Sequence, residues 1–128
     1  MALMIDSSVY IDWMRRRFEF MPEIARLHPV NPIFICGVIE AEVVRGILSA
    51  KQRDRFLEFT SLLDKVETDE AVWKETGSLA WQLDRKGVTL PLSDLAIAAC
   101  AKKVGATVVT IDSDFKKIPG IRLLNRLP

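Results

Sequence analysis

Leu90 to Phe115, LPLSDLAIAACAKKVGATVVTIDSDF, decides the fold. Leu95, Ile97, Ala98, Ala99 and Ala101 make a small-residue apolar helix that must be buried, opened by Asp94. Lys102 and Lys103 place cations at its negative end, and Gly105 is a C-terminal stop. Thr107, Val108 and Val109 then form a β-branched run too short for a helix, closed by the Asp112-Ser113-Asp114 turn. A helix, a tight turn, a buried strand and an acidic loop follow one another. In open α/β sheets ligands sit at the carboxyl ends of strands, where Asp112 and Asp114 fall.

Working outward, Ala2 to Ile5 is another apolar strand, ended by Asp6-Ser7-Ser8, which also caps a helix from Val9 to about Arg17. Phe18 to Leu27 suits a short helix with Pro22 in its first turn, and His28 to Pro32 is a loop. Ile33 to Cys36 reads as a second buried strand and Val38 to Leu48 as a helix. Lys51 to Val66 is amphipathic, with Phe56, Leu57, Phe59, Leu62 and Leu63 on its apolar stripe. Thr68 or Asp69 caps a long helix that ends at Gly87, in which Trp73 and Trp81 read as packing residues. Pro119-Gly120 turns the chain into a last edge strand, Ile121 to Leu124. Short buried strands separated by helices predict a three-layer α/β/α fold with a mainly parallel sheet of four to five strands.

With 128 residues, the chain is expected to form one domain spanning 1–128. An apolar share of 49% beside 27% charged residues leaves apolar surface for a partner or a second copy. A formal charge of +1 excludes a polyanion binder recognisable by composition, so any such binding must come from local patches. Cys36 and Cys100 sit in apolar patterns expected of buried free thiols. The apolar start lacks a basic leader and no stretch reads as a membrane span, which makes the cytoplasm the expected compartment.

Each acid taken alone has a structural explanation. Asp6 could cap a helix, Ser93-Asp94 could be a cap and first-turn pair, Glu42 could pair with Arg45, and Asp112 or Asp114 could make a turn. Together they say more, because right-handed crossovers put Asp6, Asp94 and Asp112 on one rim of a parallel sheet. Clustered carboxylates repel unless protonated or neutralised by a cation. Oxygen ligands without a His or Cys set favour Mg²⁺ or Mn²⁺, and such an ion implies phosphodiester hydrolysis. His28, alone beside prolines, builds no zinc site.

Ile5-Asp6-Ser7-Ser8, Ala41-Glu42-Val43-Val44-Arg45-Gly46, Leu92-Ser93-Asp94-Leu95-Ala96-Ile97-Ala98 and Val109-Thr110-Ile111-Asp112-Ser113-Asp114-Phe115 follow in an order that resembles the PIN-domain nucleases. More narrowly, the chain resembles the VapC-type toxins of toxin–antitoxin modules along essentially its whole length. The resemblance implies a metal-dependent ribonuclease whose acidic quartet is Asp6, Glu42, Asp94 and Asp112. Asp6, Asp94 and Asp112 would hold Mg²⁺ or Mn²⁺, with Ser7, Thr110 and Asp114 accessory to the site. It also implies an antitoxin partner, an RNA substrate and a homodimer. The chain departs from the pattern at Cys36 and Gly37, where a serine is common, and Glu40 competes with Glu42. Two residues apart on a helix they face differently, and the Arg45-Gly46 that follows favours Glu42.

Arg15, Arg16 and Arg17 read either as phosphate contacts for RNA or as a solvated helix end favoured by the dipole. Two further readings compete: a non-catalytic binding module, and a haloacid-dehalogenase-like phosphatase suggested by the strand and Asp-x-Asp of Val109 to Asp114. The second needs its nucleophile after the first strand, and little chain follows Asp114.

Overall fold

A computed structural model describes residues 1–128. Five parallel strands form one sheet: β1 (Leu3–Ile5), β2 (Ile33–Cys36), β3 (Asp64–Val66), β4 (Thr107–Val109) and β5 (Leu123–Leu124), in the order β3-β2-β1-β4-β5. Six helices connect them: α1 (Ser7–Arg15), α2 (Met21–Leu27), α3 (Gly37–Gly46), α4 (Ala50–Thr60), α5 (Glu70–Arg85) and α6 (Leu92–Val104). β1 is central, fully buried, and aligned so that Ile5 sits opposite Val109. Asp6 and Thr110, one residue beyond each strand, therefore leave the sheet side by side.

The helices hold that rim in place. Tyr10 and Trp13 on α1 pack with Phe20, Phe56 and Phe59; Tyr10 lies 5.6 Å from Phe20 and from Phe56, and Trp13 stacks on Phe20 at 5.2 Å. Such edge and stacked contacts add to area burial and fix the axis of the helix that Asp6 caps. α6 runs through the core with Leu95 to Ala101 all buried, and Gly105 ends it in the left-handed conformation at φ 65°. Its four alanines let neighbouring elements approach closely, which is how an acid in its first turn comes to lie under the sheet edge. Cys36 and Cys100 are both buried and free, as expected.

Three expectations are corrected. Lys51 to Val66 is not one amphipathic helix: α4 stops at Thr60, and Asp64–Val66 forms β3, paired with β2 from Phe34↔Asp64 to Cys36↔Val66. Two of the three β3 residues are exposed, because an edge strand needs no apolar run, and Leu62 is left 74% exposed in the connection. Trp73 and Trp81 do not pack into the core; they are 50% and 61% exposed. α5 buries Val72, Thr76, Leu79 and Leu83, a complete stripe that leaves both indoles on other faces, with the Arg85 guanidinium over Trp81 at 5.1 Å. Finally, α3 ends at Gly46, and Leu48, expected inside it, is fully exposed.

Candidate metal centre

Asp6 ends β1 and caps α1, yet it is only 2% exposed. Its carboxylate accepts hydrogen bonds from the Ser8 hydroxyl at 2.6 Å, the Thr110 hydroxyl at 2.9 Å and, more weakly, the Ser7 hydroxyl at 3.4 Å. Ser7 Oγ also donates to Glu42 Oε1 at 3.0 Å, which ties the second helix of the site to the first strand. Thr110 Oγ1 in turn accepts the Asp112 amide at 3.0 Å, and Asp112 Oδ1 accepts the Asp114 amide at 2.9 Å. Asp112 thereby caps a single 3₁₀ turn, Ser113–Lys117, and the loop after β4 cannot swing away from the rim.

Asp94 lies in the first turn of α6 and is 9% exposed. A helix N-terminus favours an anion by roughly 0.3–1 kcal/mol, so the dipole alone would lower its pKa. Burial and neighbouring charge win instead. Its carboxyl is pushed up to about 7, first by desolvation and then by the negative charges of Asp112, Asp6, Glu42 and Asp114. Oxygens of Asp94, Asp112 and Asp114 all lie within 4.8 Å of one another.

No lysine or arginine pairs with Asp6, Glu42, Asp94 or Asp112; Lys117 reaches only Asp114, at 3.3 Å. A set of oxygen-only donors, three of them converging and one whose carboxyl is pushed up to about 7 by burial and by its neighbours, fits a hard divalent cation. It does not fit zinc, since no His or Cys is part of it.

All four acids expected from the sequence gather on this rim, as do Ser7 and Thr110. Asp114, expected as an accessory, stands among the three closest donors, while Asp6 has its oxygens engaged by hydroxyls. Glu40 points elsewhere, paired with Lys65 of β3 at 2.7 Å, and so leaves the position to Glu42. Arg15, Arg16 and Arg17 do not join the rim. α1 carries them about 13 Å from Asp6, and they splay around the helix end: Arg16 pairs with Asp12 at 2.9 Å, and Arg17 takes a left-handed φ of 54°. The sequence placed Asp114 at the site only as an accessory; its closeness to Asp94, across 20 residues and a strand, comes from the turn in which Asp112 accepts its amide.

Parallel β-α units with acids converging on the carboxyl edge of the sheet define the class, and the chain belongs to the PIN domain family, which matches residues 3–121. The phosphatase reading falls with this, since β4 is the fourth strand in sequence rather than the first. Within the family, the chain is similar to Ribonuclease VapC2 of Rickettsia felis (strain ATCC VR-1525 / URRWXCal2), 26% identical over 131 residues that cover 98% of each protein. The solved VapBC2 from Rickettsia felis bound to a DNA fragment from their promoter superposes with a TM-score of 0.81 at 25% identity, over 97% of this chain and 98% of that one. DNA-bound VapBC from Salmonella typhimurium gives a TM-score of 0.81 at 27% identity, over 97% of both chains.

Proposed function

We propose that this protein is a divalent-metal-dependent endoribonuclease and the toxin of a toxin–antitoxin pair, acting as a homodimer in the cytoplasm. The observation that carries the reading is the unpaired acidic rim: four carboxylates from β1, α3, α6 and the β4 loop converge with no basic side chain to neutralise them. Similarity to a ribonuclease over 98% of both chains supports the same chemistry. The structure also contains no helix long and apolar enough to cross a membrane.

Asp94 and Asp112 are the central ligands for Mg²⁺ or Mn²⁺, with Asp6 and Glu42 completing the quartet and Asp114 close enough to share the ion. A divalent ion bound there supplies Lewis-acid activation of water and neutralises charge at a phosphodiester. The chain's own residues do the positioning. Ser8 and Thr110 hold the Asp6 carboxylate in one orientation, and Ser7 holds Glu42 toward it. Asp94, its carboxyl pushed up to about 7 in the metal-free site, must give up its proton below that pH to become a ligand, so ion binding is stronger at higher pH.

The protein partner has a seat available. A groove of about 670 Å³ between α2 and α4 is lined by Met21, Ile24, Phe59 and Leu62 with Arg55 and Glu58 at its edge. That surface suits an amphipathic segment laid into it.

Purified chain incubated with total cellular RNA decides the matter. Cleavage with Mn²⁺ or Mg²⁺ that stops in EDTA and in Asp94→Asn is expected. Cleavage that persists in either would remove the proposed mechanism.

A further inference from the structure

A hollow of about 300 Å³ lies beside the acidic rim, along α1. Its inner end is Val9 and Ile111; Ile111 is 54% exposed and stands between Thr110 and Asp112. Asp12 and Arg16 continue the Val9 face of α1 at three and seven residues on, so the hollow extends about 10 Å outward from the rim. α2 contributes Arg26 and Glu23, and the segment after β5 contributes Arg126. Phe18, 41% exposed, tilts against Trp13 in the wall at 5.8 Å.

Three guanidinium groups surround one small hollow. Two are engaged by local carboxylates, Arg16 with Asp12 at 2.9 Å and Arg26 with Glu23 at 3.0 Å, and all four side chains are more than one-third exposed. Exposed one-turn pairs of this kind contribute little, so a phosphate can replace the carboxylate at small cost. Arg126 makes no ion pair. A guanidinium fork matches phosphate oxygens, and an exposed ring beside such forks accepts a stacked base. The acidic rim itself repels a polyanion, and with a net charge of only +1 the attraction must be local. Cations about 10 Å out along α1 lie a little beyond one Debye length, about 8 Å, at physiological salt, so their pull on a strand acts chiefly inside the hollow itself.

We propose that this hollow is a single-stranded RNA subsite for nucleotides flanking the scissile phosphodiester, with Arg16, Arg26 and Arg126 on phosphates and Phe18 under a base. The proposal rests on the ribonuclease reading and adds the track along which the strand lies.

The test uses the full chain carrying Asp94→Asn, so that RNA is bound but not cut, and a fluorescein-labelled 20-nucleotide single-stranded RNA of mixed sequence. Anisotropy titrations over a range of salt give Kd and its salt slope. Adding R26Q or R126Q is expected to raise Kd three- to tenfold and to reduce the slope by about 0.7, one phosphate contact each. Adding F18A is expected to raise Kd at least threefold with the slope unchanged, and F18L to do the same without opening a space against Trp13. K74Q on α5, far from the hollow, serves as the charge control. Unchanged Kd and slope in all these variants, while the chain with Asp94 intact still cuts RNA, would overturn the subsite and leave the ribonuclease reading standing. Loss of affinity for a copurifying antitoxin but not for RNA would also overturn it, by assigning the hollow to protein. A chain that neither binds nor cuts RNA would end both.

Discussion

The two ends of α6 are built in opposite ways. At its C-terminal end every charge is answered: Lys102 meets Glu75 at 2.6 Å, Lys103 meets Asp69 at 2.7 Å, and Gly105 closes the helix in a left-handed turn. Asp69 does double duty, accepting the Val72 amide at 3.0 Å as the cap of α5, and the Lys103 ammonium holds its carboxyl below the usual carboxylate range. At the N-terminal end Asp94 faces four other acids and no cation. One end is arranged for stability, and the other gathers like charges that a proton on Asp94 or a bound cation would relieve. The difference teaches where to look for function in a small domain: at the charges the fold brings together without neutralising them.

The sharpest way to test that contrast is to neutralise the acidic end. Asp94→Asn should cut RNA cleavage by about 100-fold or more, equivalent to roughly 3 kcal/mol of transition-state stabilisation, and at the same time raise the melting temperature of the metal-free protein by a few degrees. A variant that loses activity and stability together would show that Asp94 is structural.

Acid titration should separate the two ends by sign. Asp94 keeps its proton in the folded chain up to about 7 but loses it near 3.8 when unfolded, so the unfolded state binds fewer protons between these values. The stability of the metal-free protein therefore falls as pH rises from about 4 to 7, and saturating Mn²⁺ or Asp94→Asn flattens that slope in denaturant melts. Asp69 works the other way. Its lowered pKa contributes stability that is present above 3.8 and lost as pH falls, and Asp69→Asn should remove that acid-side loss.

Smaller effects belong to the satisfied end. Gly105→Ala forces a side chain into φ 65° and should cost about 1–2 kcal/mol in urea unfolding, with RNA cleavage at saturating metal unchanged. Asp69→Ala removes a cap and an ion-pair partner, both exposed, and should lower the melting temperature less than Gly105→Ala does. Lys102→Ala should be the mildest, within about 0.5 kcal/mol, because its pair with Glu75 is one-third exposed. If any of these rivalled Asp94→Asn in its effect on cleavage, the division between the two ends would be wrong.

Much of this was legible in the chain. β1, β2, β4 and α6 announce themselves as apolar runs with clear stops, and their connections imply one rim for Asp6, Asp94 and Asp112. β3 was not legible, since Asp64-Lys65-Val66 has no alternation and continues the amphipathic pattern of α4; it is a strand only because β2 offers it an edge. Trp73 and Trp81 misled for a related reason. Aromatic residues at helical spacing suggest a buried stripe, but Val72, Leu79 and Leu83 already supply one, and a helix against a sheet buries only one. Glu40 and Glu42 could be ranked from the sequence, but the reason Glu40 stands aside is Lys65, on a strand the sequence hid.

By itself the sequence determined the period and order of the elements, the residue types at each strand end, and hence the presence of oxygen donors where a parallel sheet gathers them. Those follow from local physics: side-chain period, caps, turns and crossover handedness. Only the tertiary structure decided that Asp114 reaches Asp94, that Ser7 bridges Asp6 to Glu42, and that arginines from three separate segments surround one hollow beside the rim. Such distances depend on how helices settle on the sheet, and that packing is a sum over the whole core that no stretch of chain encodes alone.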